Sequence, residues 1–296
     1  MEEIEVERLR RTMLYVPGSS EKMINKSTTL EVDSLIIDLE DAVAITEKEN
    51  ARSLVAEMLL KVDFGEKEKN VRINSLETPF GEEDIRTIVP SKPDGIIIPK
   101  VNCAEDVRKV ERIVEEVEKS TTVEVGSINL MAMIETPQGI ANIDEIASSS
   151  KRMKALLFGA ADYTKETRGR ITQERLEAIY PLNRILIAAR CAGIDAIDSP
   201  YFNVRDEEGL VKHTQFVVNM GYDGKSVIHP GQIAPVNKLF SPTEEEIAFA
   251  KKIIDAYEKA KAEGKGAIEV DGELVEQLHV DNAKRVLLKA EKAGLL

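Results

Sequence analysis

Apolar residues along this chain follow two rhythms. Short, nearly unbroken apolar runs alternate with longer stretches in which apolar residues recur every third or fourth position. The short runs are TMLYVPG (12–18), DSLIIDLED (33–41), NVRIN (70–74), DGIIIPK (94–100), INLMAMIET (128–136), KALLFGAAD (154–162), IDAIDSP (194–200) and GKSVIHPG (224–231). A strand covered on one face alternates apolar and polar residues, whereas one covered on both faces reads as a continuous apolar run. Eight such runs, alternating with helical stretches, predict a (β/α)8 barrel more readily than an open sheet.

The helical stretches carry start and stop signals. In NCAEDVRKVERIVEEVEK, Asn102 and Glu105 have the spacing of a capping box, and Val107, Val110, Ile113, Val114 and Val117 make one apolar stripe. TQERLEAIYPLNRILIAARCAG (172–193) predicts a helix opening on Thr172 and stopping at Gly193, with Pro181 kinking or restarting it. After the eighth run, SPTEEEIAFAKKIIDAYEKAKAEGKG predicts a further helix ending near Gly264. AIEVDGELVE then predicts a hairpin turning at Asp271-Gly272, and residues 279–293 a last helix. The expected organisation is a barrel over residues 10–240 and a helix–hairpin–helix extension over 241–296, serving as packing or as a lid over a neighbouring subunit.

Composition narrows the function. A chain of 296 residues that is 43% hydrophobic suits one large barrel. A formal charge of −13 argues against nucleic acid, whose binding depends on lysine and arginine displacing counterions. Aromatics at 4% and no tryptophan disfavour stacking surfaces for bases or sugars. No 18-residue apolar run suggests a membrane span, and MEEIEVERLRR lacks an apolar signal core. With Cys103 and Cys191 as the two cysteines, a reduced cytoplasmic setting is expected.

In barrels of this kind the working groups stand where strands end. The second run ends on Asp38, Glu40 and Asp41, the third carries Arg72, and the fourth ends on Lys100. Glu135, Asp162, Asp198 and His229 follow at the ends of the last four runs, so one mouth is expected to gather them. A lone buried carboxylate loses several kcal/mol of hydration, and a second one beside it adds repulsion. A hard divalent cation between Glu135 and Asp162 relieves both, with Glu40 and Asp41 ordering waters around it. Each acid taken singly also fits an ion pair or a helix cap, and Arg72 also fits a counter-ion to one of them. Lys100 invites a Schiff-base aldolase as a second reading.

RRTMLYVPGSSEKM, IIDLEDAV, VRINSLETPFGEEDI, IIIPKV, MIETPQGI, FGAADYT, GYDGKSVIHPGQI and LFSPTEEEI together resemble the citrate lyase beta subunit family, which is HpcH/HpaI aldolase-like and includes malyl- and citramalyl-CoA lyases. The resemblance runs from about Arg10 to Gly294. It implies a barrel of the phosphoenolpyruvate/pyruvate-binding type that assembles as a trimer or hexamer. The implied reaction cleaves or forms a C–C bond between an acyl thioester, carried on CoA or an acyl carrier protein, and a 2-oxo acid such as oxaloacetate, pyruvate or glyoxylate. By motif, Glu135 and Asp162 match the Mg²⁺ ligands and Arg72 the substrate-binding arginine, with Glu135 also against substrate. Arg72 is expected to hold a carboxylate or enolate oxygen in bidentate fashion. Arg10 and Arg11 are candidate contacts for the thioester's phosphates. Two departures stand out. Ala161 replaces an acid common in the family, and Glu276, the candidate catalytic acid or base, replaces an aspartate that often reaches an adjoining subunit's site. A binding subunit with weakened catalysis is therefore a third reading. The resemblance also implies an acyl carrier protein and other citrate lyase subunits as partners.

Overall fold

The computed structural model describes residues 8–262 and 266–296. All eight apolar runs become strands: β1 (Thr12–Pro17), β2 (Ser34–Asp38), β3 (Glu68–Arg72), β4 (Gly95–Ile98), β5 (Asn129–Ile134), β6 (Met153–Phe158), β7 (Asp195–Asp198) and β8 (Gly224–Val227). They pair in chain order into a closed barrel, and β8 returns in parallel to β1. Continuous apolar runs suit this position, because the inner face fills the barrel and the outer face lies under helices. Every residue of β2, β4 and β8 is buried.

Register decides which side chains point inward. Met13, Ile36, Ile97, Met131, Met133, Ala155, Leu157 and Ile197 fill the interior. Side chains alternate along a strand, so Asp38, two residues beyond Ile36, also faces in. Arg72 pairs with Asp38 in the ladder, and Glu135 stands two residues beyond Met133. A charged layer thus caps the apolar one at the C-terminal end of the strands. At the opposite end, Arg10 closes the floor with Glu68 (2.6 and 2.9 Å) and Asp195 (2.6 Å).

Two helix starts differ from expectation. The helix Ala104–Ser120 is N-capped by Cys103 rather than Asn102. Asp106 instead of Glu105 reaches back, accepting the N–H groups of Asn102 (2.9 Å) and Cys103 (3.1 Å). Asn102 is engaged elsewhere, its side-chain oxygen accepting the Thr136 hydroxyl at 2.5 Å. The second helix spans Ile179–Ala192, not 172–193. Pro181 lies in its first turn, where a missing N–H breaks no intrahelical bond. Gly193 ends it at φ 68°, as its sequence position predicts.

The chain divides into two compact units: Arg10–Val236 is the barrel, and Asn237–Leu296 belongs to the other. The second unit contains the helix Glu244–Ala262, the hairpin β9 (Ile268–Val270) and β10 (Glu273–Val275), and the helix Gln277–Lys292. Asp271 and Gly272 both have positive φ, 54° and 86°, as a two-residue type I′ turn requires. Ala250, Ile253, Tyr257, Val270, Val275, Val280 and Ala283 form the core of this unit. Gly264, the expected helix stop, lies outside the described residues. Among the described residues no helix is long and apolar enough to cross a membrane.

Candidate active site

Arg72 and Asp38 are ladder neighbours, and their side chains meet in a bidentate pair: Nε to Oδ1 at 2.7 Å and Nη2 to Oδ2 at 2.6 Å. Asp38 also accepts the backbone N–H groups of Glu40 and Ala42, both at 2.9 Å, which shapes the loop after β2. That loop turns Glu40 back over the barrel, where its Oε2 lies 2.8 Å from Arg72 Nη1. The contact is electrostatic only, for the angle is wrong for a hydrogen bond and Oε2 is buried without a hydrogen-bond partner. Tyr15 places its ring 5.1 Å from the Arg72 guanidinium carbon. Burial alone would lower the Arg72 pKa, but Tyr15 and Asp38 raise it well above its ordinary value, so the group stays charged. The side-on edge of the guanidinium is spent on Asp38. Any further bidentate partner would have to meet the end-on edge, Nη1 and Nη2, where Glu40 already lies beside Nη1.

Glu135 follows β5 at the start of the loop to the helix Pro137–Ala141. Thr136 N-caps that helix by accepting from Gly139 N–H at 2.9 Å, and Pro137 opens it. The strand must therefore stop at Glu135, and strand alternation aims its carboxylate inward. Oε1 accepts the Lys100 backbone N–H at 2.8 Å. On the other flank lies Gly159, where an added Cβ would stand 2.3 Å from Oε2 and 2.4 Å from the Glu135 Cβ. The carboxyl is 2% exposed, and burial, aided by the charge of Glu40, pushes its pKa up to about 7.

Lys100 and Asp162 complete the mouth. Lys100 Nζ donates to Glu40 Oε1 at 3.2 Å. Burial would lower the Lys100 pKa, but Glu40 outweighs it and the ammonium sits above its ordinary value. Asp162 is half-buried in the first turn of the helix Ala160–Thr167, close enough for its charge to act on both Lys100 and Glu135. Asp41 is mostly exposed, 3.9 Å from Arg72 Nη1. The fold thus brings Arg72, Glu40, Asp41, Glu135 and Asp162 to one mouth.

A divalent cation fits this donor set. An inward carboxyl destabilised as an anion and a second acid acting on it both call for positive charge. No group of three or more His, Cys, Asp or Glu among the described residues is arranged to hold a metal. Mg²⁺ typically needs no such cage, taking one or two carboxylates, waters and substrate oxygens.

Arg10, Arg11 and Asp198 are not brought here. Arg11 precedes β1 at the floor end and is held by Asp33, with Nε at 2.9 Å and Nη2 at 2.7 Å. Arg10 is part of the floor itself. Asp198 was expected at the mouth but follows inward Ile197, so it faces outward beneath the helices. There it binds Arg175 Nη2 (2.6 Å) and Lys225 Nζ (2.6 Å). His229 N-caps a short 3-10 turn, its Nδ1 accepting from Gly231 N–H at 3.0 Å. Glu276 is exposed at the N-cap of Gln277–Lys292, in the second unit. Sequence reasoning passed over Tyr15 and Gly159. The signal for Gly159 was its place one residue after β6, beside Glu135.

The HpcH/HpaI aldolase/citrate lyase family model matches residues 11–230, and that of the C-C bond lyases of the TIM-barrel fold matches 188–295. The citrate lyase subunit beta of Leuconostoc mesenteroides subsp. cremoris is 43% identical over 290 residues, covering 98% of this chain and 96% of that one. A (3S)-malyl-CoA thioesterase of Cereibacter sphaeroides is 39% identical, covering 95% of this chain and 94% of its own. Among solved structures, the citrate lyase beta subunit of M. tuberculosis complexed with oxaloacetate and magnesium superposes with a TM-score of 0.67 at 25% identity, over 79% of this chain and 98% of that one. Barrel, motifs and relatives agree: the chain belongs to the HpcH/HpaI aldolase/citrate lyase family and is a carbon–carbon lyase.

Proposed function

We propose that this chain is a Mg²⁺-dependent lyase that cleaves, or forms, a 3-hydroxyacyl thioester of the citryl, malyl or citramalyl type. The products of cleavage are an acetyl thioester and a 2-oxo acid. The observation that carries this reading is the inward Glu135, whose pKa is pushed to about 7 by burial and by a neighbouring acid, in a mouth that also holds Arg72. Glu135 and Asp162 would hold the ion, with Glu40 and Asp41 around them. When bound, it would act as a Lewis acid that stabilises oxygen charge on the oxo acid.

The chain's own residues would do the rest. Arg72, fixed by Asp38 and Tyr15, would present Nη1 and Nη2 to the oxo acid's carboxylate, so orientation is set before substrate arrives. In cleavage the hydroxyl proton must leave as the C–C bond breaks. Glu276, exposed on the extension of a neighbouring subunit in a trimer or hexamer, is the carboxylate proposed to take it. Coenzyme A is favoured as the carrier by the malyl-CoA thioesterase relatives, with an acyl carrier protein as the other option. A Schiff base at Lys100 is disfavoured because its ammonium is held protonated by Glu40.

The test is a panel of citramalyl-, malyl- and citryl-CoA assayed with Mg²⁺ and after chelation. Glu135→Ala and Asp162→Ala should each cut cleavage by at least about 100-fold, the upper range for losing even an indirect support of a metal. Circular dichroism should remain that of the native barrel. Full cleavage by chelated enzyme refutes the metal role. Binding of oxaloacetate and Mg²⁺ without turnover of any thioester would make the chain a binding subunit instead.

A further inference from the structure

Lys100 is one of five non-glycine residues among those described with a positive φ, and the only one of them at the mouth. Its φ of 52° is a left-handed conformation that an ordinary side chain adopts at a cost. What the conformation achieves is visible on both sides of the residue. The backbone N–H turns inward to Glu135 Oε1 at 2.8 Å, while the side chain reaches Glu40 Oε1 at 3.2 Å. The next residue returns to the ladder, Val101 N–H donating to Met133 C=O at 3.2 Å. The twist is thus confined to the residue whose N–H meets the acid.

We propose that Lys100 is a positioning residue for the cation site. Its left-handed backbone clamps one oxygen of Glu135 so that the other, Oε2, is presented to the ion, and its ammonium separately holds Glu40. This rests on the metal reading of Glu135 and Asp162. With Gly159 leaving no more room than the carboxylate needs on the far side, Glu135 is held from both flanks. Outer partners of this kind orient a metal ligand and are worth 10- to 100-fold in affinity. The two ends of Lys100 are separable. Glycine and asparagine accept a left-handed backbone and keep the N–H in place, whereas a β-branched residue does not.

The experiment titrates Mn²⁺ as a paramagnetic stand-in for Mg²⁺, without substrate, into native protein and into Lys100→Gly, Lys100→Asn, Lys100→Ala, Lys100→Val and Glu135→Ala. Free ion is read by electron paramagnetic resonance. Lys100→Gly and Lys100→Asn should bind within about threefold of native, and Lys100→Val about 10- to 100-fold more weakly, with Lys100→Ala between. Should the valine variant not fold, the ordering of glycine and asparagine above alanine still decides. Native-like binding by Lys100→Val, or equal losses in the glycine, asparagine and valine variants, overturns the backbone role. Native protein that binds no Mn²⁺, or Glu135→Ala that binds as native does, overturns the metal reading and the Lys100 inference with it.

Discussion

Replacing Glu135 by glutamine should make the metal-free protein more stable at alkaline pH while removing its function. Glu135 is 2% exposed and its pKa rises from an ordinary 4.5 to about 7, first through burial and then through Glu40. A carboxyl whose folded pKa is raised binds more protons when folded than when unfolded, so stability falls as pH climbs through that window. The penalty is absent below pH 4.5 and fully developed above pH 7. At 1.36 kcal/mol per pH unit, ionising Glu135 costs the fold about 3 kcal/mol. Glutamine keeps an oxygen for the Lys100 N–H and carries no charge. At about 2 °C per kcal/mol for a chain of this size, Glu135→Gln should melt roughly 6 °C above native at pH 8.5 in chelator, and level with it near pH 5. Added Mg²⁺ should raise the native melting point and leave the variant's unchanged. Calorimetric melts at the two pH values decide the matter. A variant that gains nothing between pH 5 and pH 8.5 would show that Glu135 ionises there without strain, and the case for an ion-seeking carboxylate would fail.

Two further outcomes follow from the same geometry. Gly159→Ala places a methyl 2.3 Å from Glu135 Oε2, so it should weaken Mn²⁺ binding at least about tenfold, the cost of disturbing a ligand's support, while the barrel's circular dichroism persists. Native-like titration would show that Glu135 has room to move. Asp198→Ala strands Arg175 and Lys225 without their buried counter-ion and should cost about 3–5 kcal/mol in urea unfolding. A loss below about 1 kcal/mol, as for a surface pair, would show that water or rearrangement replaces the carboxylate.

Much of the barrel was legible because burial on both faces leaves a mark that needs no partner to read. Glu135 was legible as the acid that closes an almost unbroken apolar run, and the structure adds that Thr136 and Pro137 start a helix there. What escaped was whatever depends on register. Asp38 and Asp198 look alike in sequence, each closing an apolar run. Only the pairing shows that one follows inward Ile36 by two residues and the other follows inward Ile197 by one. One carboxylate therefore braces Arg72 at the mouth, and the other is sealed with Arg175 and Lys225 behind the wall. The cap at Cys103 escaped for a different reason. Asn102 is the better cap by type, but Thr136, from the loop after a different strand, recruits its side chain. Local propensity yielded to a tertiary contact that spacing within one helix does not contain.

If Glu135 and Asp162 hold a cation as proposed, the mouth's charge gives that cation a part in binding as well as in catalysis. Five carboxyl groups (Asp38, Glu40, Asp41, Glu135 and Asp162) stand against two cations, Arg72 and Lys100, an excess of three negative charges once all five are ionised. Both cations are already engaged, Arg72 with Asp38 and Glu40, Lys100 with Glu40. A 2-oxo acid arrives as an anion, and in such a field Arg72 alone offers it little net attraction. A divalent ion at Glu135 and Asp162 would remove most of the excess and give the anion a second partner. Affinity for the oxo acid should therefore depend on the ion far more steeply than one arginine contact would suggest, with the order of binding fixed as ion first. Burial first, and then the charge of Glu40, raises Glu135 to about 7, and a cation at the proposed site would offset both.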